Sequence, residues 1–245
     1  MLARSLAAAL FVALVAATPV ARAQTAGEPA AVVVELYTSQ GCFQCPRANR
    51  LLGAFSRERG VLALTFPVGI WDYLGWRDTF ARPEFSERQR NYSRTLRVRG
   101  RYTPQLVVNG QTQTSASDWE EARSTVHQAR ENPRASDAPL ASIARLRNGR
   151  VRVTLTGASR APTADIWLVA YDPGPLEVAI NGGLNIRRTI SHYNLVRSIE
   201  RLGAWSGEAS WYERGNCNPE CAVLVQTPDG GPILAAAATA ATGRR

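Results

Sequence analysis

The chain has 245 residues, 45% hydrophobic and 20% charged, enough for one large domain or two small ones with their own cores. Its balance is basic, 29 residues against 20, and every basic residue is arginine. No recognition motif accompanies that charge, which argues against a nucleic-acid partner, and no internal repeat or low-complexity tract follows the N-terminal segment, which excludes repeat architectures.

The chain opens as a processing signal. Arg4 supplies a basic start, residues Leu6 to Ala17 are apolar, and Ala21-Arg22-Ala23 is a small-x-small cleavage pattern. Residues 1–23 are therefore expected to be a signal peptide, and the mature protein to be periplasmic or secreted. The apolar run is shorter than the roughly 20 residues a spanning helix needs. No later stretch reaches that length either, so no stable membrane span is expected after processing.

Val32 to Tyr37 reads as a strand, rich in β-branched residues, and Thr38-Ser39-Gln40-Gly41 as a turn. A helix follows, with Ala48, Leu51, Leu52 and Phe55 at i, i+3, i+4 and i+7. Val61 to Val68 is the next buried strand, so a parallel strand–helix–strand unit is expected. An aromatic loop leads to a second amphipathic helix from Pro83, with Phe85, Tyr92 and Leu96 on one face. Pro104 to Val108 is a strand ending in the Asn109-Gly110 turn, and a short strand follows. Ser117, with Glu120 three residues on, predicts a capping box for a third helix carrying Trp119, Ala122, Val126 and Ala129 as its apolar stripe.

The pattern then changes. Ser142–Arg147 and Val151–Leu155 alternate about Asn148-Gly149, a hairpin signature. Further strands are predicted at residues 165–171, 176–180, 190–199 and 221–226. The expected organisation is an α/β domain over 31–134 and a small all-β, antiparallel sandwich-like domain over 138–245.

Cys42-Phe43-Gln44-Cys45 lies where a strand end becomes a helix start. Helix-start amides stabilise negative charge, so a thiol on the first turn ionises more readily, and the thiolate is the nucleophile of disulfide exchange. Position makes Cys42 the attacking residue and Cys45 the resolving one. A structural disulfide and a metal pair remain open beside this redox reading. The metal reading lacks further ligands, since the two histidines, His127 and His192, fall in different halves, so no metal or cofactor is expected. Cys217 and Cys221 read as a structural disulfide closing a tight loop, or as a second redox pair relaying electrons to the first.

The stretch Val34–Pro46, together with Trp71–Asp78 and Tyr102-Thr103-Pro104-Gln105, resembles the motifs of a secreted bacterial family of unknown function with a thioredoxin-like fold. Asn185, Arg188, Asn194, Val196 and Arg197 fit a looser segment of that family, from which Leu184 and Arg187 depart. The resemblance implies export and a thioredoxin-like first half. It also implies a cis-proline at Pro104 facing the cysteines, with the backbone of Thr103 free to pair with a substrate peptide. In such domains a buried carboxylate can move the proton of the resolving thiol, a role open to Glu35, whose alternative is an ordinary outward-facing residue.

Trp71 and Asp72 are candidate substrate contacts on the same rim, or part of a lid packing against the core. Arg88, Arg90, Arg94, Arg97, Arg99 and Arg101 read first as a solvated helix face, with Glu84 and Arg88 paired at i, i+4, and second as a surface steering an acidic partner. Two functions follow. One is an exported thiol–disulfide oxidoreductase acting on a protein thiol or disulfide partner, and the other a non-catalytic binding or structural module with locked disulfides.

Overall fold

A computed structural model describes residues 29–132, 137–215 and 217–239, and within them thirteen strands and three α-helices. The signal-peptide pattern lies outside the described residues. No described helix is long and apolar enough to cross a membrane.

The first half runs β1 (Val32–Thr38), α1 (Cys45–Phe55), β2 (Val61–Pro67), α2 (Pro83–Thr95), β3 (Gln105–Val108), β4 (Thr112–Ser115) and α3 (Trp119–Glu131). The second runs β5 (Ala141–Arg145), β6 (Val151–Leu155), β7 (Ala164–Asp172), β8 (Leu176–Ala179), β9 (Thr189–His192), β10 (Leu195–Trp205), β11 (Ser210–Arg214), β12 (Glu220–Gln226) and β13 (Ile233–Ala238). Eight strands form one mixed sheet in the order β13-β12-β7-β10-β2-β1-β3-β4; β11-β6-β5 make a second sheet and β8-β9 a hairpin. β1 and β2 pair in parallel, as the strand–helix–strand pattern requires, and β3 lies antiparallel on the other side of β1.

Alternation along β1 sends its side chains to two cores. Val32, Val34 and Leu36 meet Ala48, Leu51, Leu52 and Phe55 of α1 and Ala122 and Val126 of α3. Val33 and Tyr37 face Phe85 and Tyr92 of α2, a core that continues through Val169, Val196 and Leu224 of the second half. Toward β13 the face shared with α1 is covered by the three-stranded sheet, with Ile143, Val153, Ile166, Val223 and Val225 between. Each fully buried Leu or Phe of these cores contributes about 1.5–3 kcal/mol.

The large sheet crosses the boundary expected near residues 134–138. Its join is a single parallel rung, Thr65 with Leu195. The rung includes the Thr65 amide bonded to the Asn194 carbonyl at 2.9 Å, and two side-chain bonds stitch it further: the Thr65 hydroxyl to the Tyr193 carbonyl at 2.6 Å and the Asn194 side-chain amide to the Ala63 carbonyl at 2.7 Å.

Local expectations change in four places. Asp118, not Ser117, caps α3, its carboxylate accepting the Glu121 amide at 3.0 Å. The run 190–199 divides into β9 and β10, because the chain turns at Asn194 with φ 44°. β11 and β13 join the predicted strands, and β13 closes the edge of the large sheet.

Candidate functional site

Cys42 and Cys45 form a disulfide with their Cα atoms 5.3 Å apart. The helix begins at Cys45, with Gln44 as N-cap, so Cys45 occupies the first turn and Cys42 precedes it. This corrects the expectation that Cys42 sits on the first turn. The residues 39–44 make a tight turn, with the Cys42 amide bonded to the Ser39 carbonyl at 3.1 Å and the Cys45 amide to the Cys42 carbonyl at 3.3 Å. That turn inserts two residues between Cys42 and the helix. Cys42 keeps 5% of its surface and Cys45 none, whereas Phe43 between them is 58% exposed.

The Thr103–Pro104 bond is cis. The Cys42 Sγ lies 3.6 Å from the Thr103 carbonyl oxygen. Trp71 donates its indole N–H to the Thr103 hydroxyl at 2.7 Å. The same tryptophan packs on Gly41, where an added Cβ would stand 2.9 Å from the Trp71 Cβ; only glycine admits this approach. Cys42, Thr103, Pro104 and Trp71 thus share one rim. Asp72 points elsewhere, accepting the Asp78 amide at 3.0 Å.

Glu35 lies on the sheet face covered by α2, opposite α1, and is fully buried. Arg88 donates its Nε to one oxygen at 2.8 Å, and the Tyr92 hydroxyl donates to the other. Arg88 also reaches the Tyr92 oxygen at 3.0 Å and the Gln226 side-chain oxygen at 2.8 Å. The structure therefore does not bring Glu35 to the sulfurs, and Arg88 is not the surface partner of Glu84. Burying a polar side chain is costly unless it is hydrogen-bonded, and this network supplies partners to both Glu35 oxygens.

Two residues at the turn, Asn185 and Arg188, carried no role in the sequence reading. Asn185, fully buried, donates its side-chain amide to the Gln40 carbonyl at 2.9 Å and the Cys42 carbonyl at 2.8 Å. Arg188 donates to the Asn185 side-chain oxygen at 3.2 Å and stands 4.6 Å from the centre of the Phe43 ring, in cation–π range. The loop bearing Asn185 sits tightly against residues 74–76, since a Cβ on Gly182 would approach the Gly75 carbonyl to 2.6 Å.

Asp78 holds the turn from the other side. Its carboxylate accepts the amides of Gln40 at 2.7 Å, Phe80 at 2.9 Å and Ala81 at 3.0 Å. Burial raises its pKa to about 6 although the three amides pull it down, and the charge of Asp72 adds to the rise. The Gln40 side-chain oxygen in turn accepts the Trp76 indole N–H at 2.9 Å.

His192 lies under α1. Its Nδ1 is 3.4 Å from the Asn49 side-chain amide, whose oxygen accepts the Thr38 hydroxyl at 2.8 Å. The imidazole is fully buried with Nε2 unpartnered, and the Phe80 ring meets it edge-on at 5.7 Å. Burial, with the nearby Arg197 charge, lowers its pKa to about 4, so it is neutral at pH 7. His127 is exposed on α3, beside Glu131.

Cys217 and Cys221 are also disulfide-bonded and buried in the core between the two sheets. Arg145 ties the loop, donating to the Cys217 carbonyl at 2.7 Å and the Asn218 side-chain oxygen at 3.1 Å. Cys221 lies on β12, four strands from β1. At about 4.8 Å per strand that is roughly 19 Å, too far for direct exchange between the two disulfides. Among the described residues no group of three His, Cys, Asp or Glu side chains could hold a metal ion.

Comparison with known proteins agrees with this architecture. The crystal structure of an Agrobacterium tumefaciens protein is 25% identical and superposes with a TM-score of 0.73, covering 89% of this chain and 97% of that one. HBP35 of Porphyromonas gingivalis, 12% identical, gives 0.57 over 89% of this chain and 79% of its own, a likeness of fold alone. No curated protein matches the sequence. A family model described as Protein of unknown function (DUF1223) matches residues 33–226, and the chain belongs to that family.

Proposed function

We propose that the protein is an exported thiol–disulfide oxidoreductase that acts on a protein partner through Cys42 and Cys45, in a thioredoxin-like first half. The observation that carries this reading is the 3.6 Å approach of the Cys42 sulfur to the Thr103 carbonyl, at the residue preceding Pro104. It sets the sulfur beside a backbone to which a substrate strand can add. Parallel β1 and β2, antiparallel β3 and β4, and helices on both sheet faces support the fold assignment. The cleavage pattern at Ala21-Arg22-Ala23 supports export.

From the disulfide form, a partner thiolate attacks the Cys42 sulfur and Cys45 leaves as a thiolate. A second partner thiolate then displaces Cys42, so the partner is oxidised to a disulfide and Cys42 and Cys45 are reduced. The reverse sequence reduces a partner disulfide, with Cys42 attacking and Cys45 resolving.

Equilibration with glutathione buffers and mass trapping of thiols tests the proposal. A potential for Cys42–Cys45 above about −300 mV, with rapid exchange, is expected. A Cys45→Ser protein should accumulate mixed disulfides and a Cys42→Ser protein should not. The 5% exposure of Cys42 favours a second reading, a binding or structural module with locked disulfides. A bond that resists the glutathione pool would establish that module and end the oxidoreductase reading.

A further inference from the structure

Beside the candidate site lies a cleft of about 300 Å³. Ile70 and Asp72, the two neighbours of Trp71, line one wall, and Arg101, two residues before Thr103, lines another. Arg77, Arg82 and Arg90 complete its charged rim, and all four arginines are exposed. Arg90 is paired with Glu87. Arg77, Arg82 and Arg101 form no ion pair within 4 Å among the described residues, and the charge of Arg101 reaches Glu87 only as one of several that lower its pKa.

The cleft also contains two carboxylates, Asp72 and Asp78, but both are occupied by the main chain. Asp78 accepts three backbone amides and Asp72 accepts the amide of Asp78. Four guanidinium groups thus outnumber the two carboxylates of the cleft, and Arg77, Arg82 and Arg101 form no ion pair with either. Guanidinium forks match carboxylates in planar, two-pronged hydrogen bonds, and a concave basic surface accelerates the encounter with an acidic partner.

We propose that this cleft docks an acidic segment of the partner protein, so that a cysteine flanked by Asp or Glu is presented to Cys42. This inference rests on the oxidoreductase reading for its purpose, but the docking surface is measurable by itself. The wall formed by Ile70 and Asp72 joins the cleft to Trp71, and Trp71 holds Thr103 against the Cys42 sulfur. A bound segment could therefore lie in the cleft and on the Thr103 backbone together.

The test uses the oxidised, processed protein and a labelled, cysteine-free hexapeptide of Asp and Glu, followed by fluorescence anisotropy. The acidic peptide should bind at least tenfold more tightly than its Asn and Gln counterpart. The preference should fall several-fold in 0.5 M salt and vanish in Arg82→Gln/Arg101→Gln. A control pair in the second half, Arg147→Gln/Arg160→Gln, should retain it. Equal binding of both peptides, or equal losses in the two double variants, overturns the proposal.

Reaction of the separately reduced protein with neutral hydroxyethyl disulfide, in which the Cys42 thiolate attacks, Cys45 resolves and two mercaptoethanol molecules leave, reads the chemistry by itself. If that exchange fails while the cleft still selects the acidic peptide, the oxidoreductase reading falls and the docking surface stands. If exchange proceeds without selection, the reverse holds.

Discussion

One side-chain amide, that of Asn185, satisfies two main-chain carbonyls in the turn that carries Cys42. Both carbonyls belong to a water-excluded site, where an unmade hydrogen bond costs more than a made one contributes. Asn185→Ala leaves both unsatisfied and is expected to lower stability by about 2–4 kcal/mol. Urea unfolding of the oxidised protein should show it as a lower midpoint at unchanged slope. An unchanged midpoint would mean that water replaces the amide and that Asn185 does not hold the turn.

Glu35 teaches a related point at the same scale. A carboxylate in an apolar strand looks like a candidate proton carrier. Its partner Arg88 stands 53 positions along the chain, on a helix where arginine normally marks the solvated face. Burial of both ends of that pair is a property of the packed molecule, and no local pattern in the sequence signals it.

At the scale of elements, α1 and β9 form a second contact, beside that of Asn185, between the second half and the cysteine region. His192 on β9 sits against Asn49 on α1, neutral because burial holds its pKa near 4 instead of the usual 6.5. A base whose folded pKa is depressed takes up its proton in the unfolded state first. Its contribution to stability is therefore complete above pH 6.5 and is lost as pH falls toward 4, on the order of 3 kcal/mol in all. Asp78 acts in the opposite sense: its folded pKa is raised from 3.8 to about 6, so the native state binds the proton first and stability rises as pH falls through that window. The two trends oppose one another in the parent protein. In His192→Gln the acid-side loss should disappear, leaving unfolding free energy that increases from pH 6 to pH 4, measurable by urea titration at each pH. A variant and parent with parallel profiles would show that His192 is already protonated, or partnered by water, in the folded protein.

Elements were legible in proportion to their local periodicity. α1, α2 and the hairpin about Asn148-Gly149 follow their apolar spacing and turn residues. β13, with four consecutive alanines, carries no alternation, yet it is buried because it closes the edge of the sheet against β12. The cap of α3 moved by one residue because Asp118 and Ser117 are both competent N-caps, and the carboxylate took the Glu121 amide. The cysteine pair, Thr103, Pro104 and Trp71 were legible as one rim. Asn185, Asp78 and His192 were not, since each meets the turn or its helix through long-range packing.

At the scale of the whole molecule, the large sheet makes the two halves depend on each other. Removing residues 138–245 would strip β10 from β2, leave the Ala63 carbonyl without Asn194, and unclothe Val33, Leu62 and Leu64 on the face completed by Val169, Val196 and Leu224. Residues 29–132 alone are expected to be poorly folded and prone to associate through the bare edge of β2. Circular dichroism and size-exclusion chromatography of that fragment would check this; a monomer with a cooperative thermal transition would contradict it.

The rung between Thr65 and Leu195 also bears on how a partner is received. The rung and the core shared by both halves join them by a ladder and by packing, not by a bare linker. For a partner of the kind proposed, the 5% exposure of Cys42 favours an unstructured tail or a locally frayed loop over a rigid folded surface.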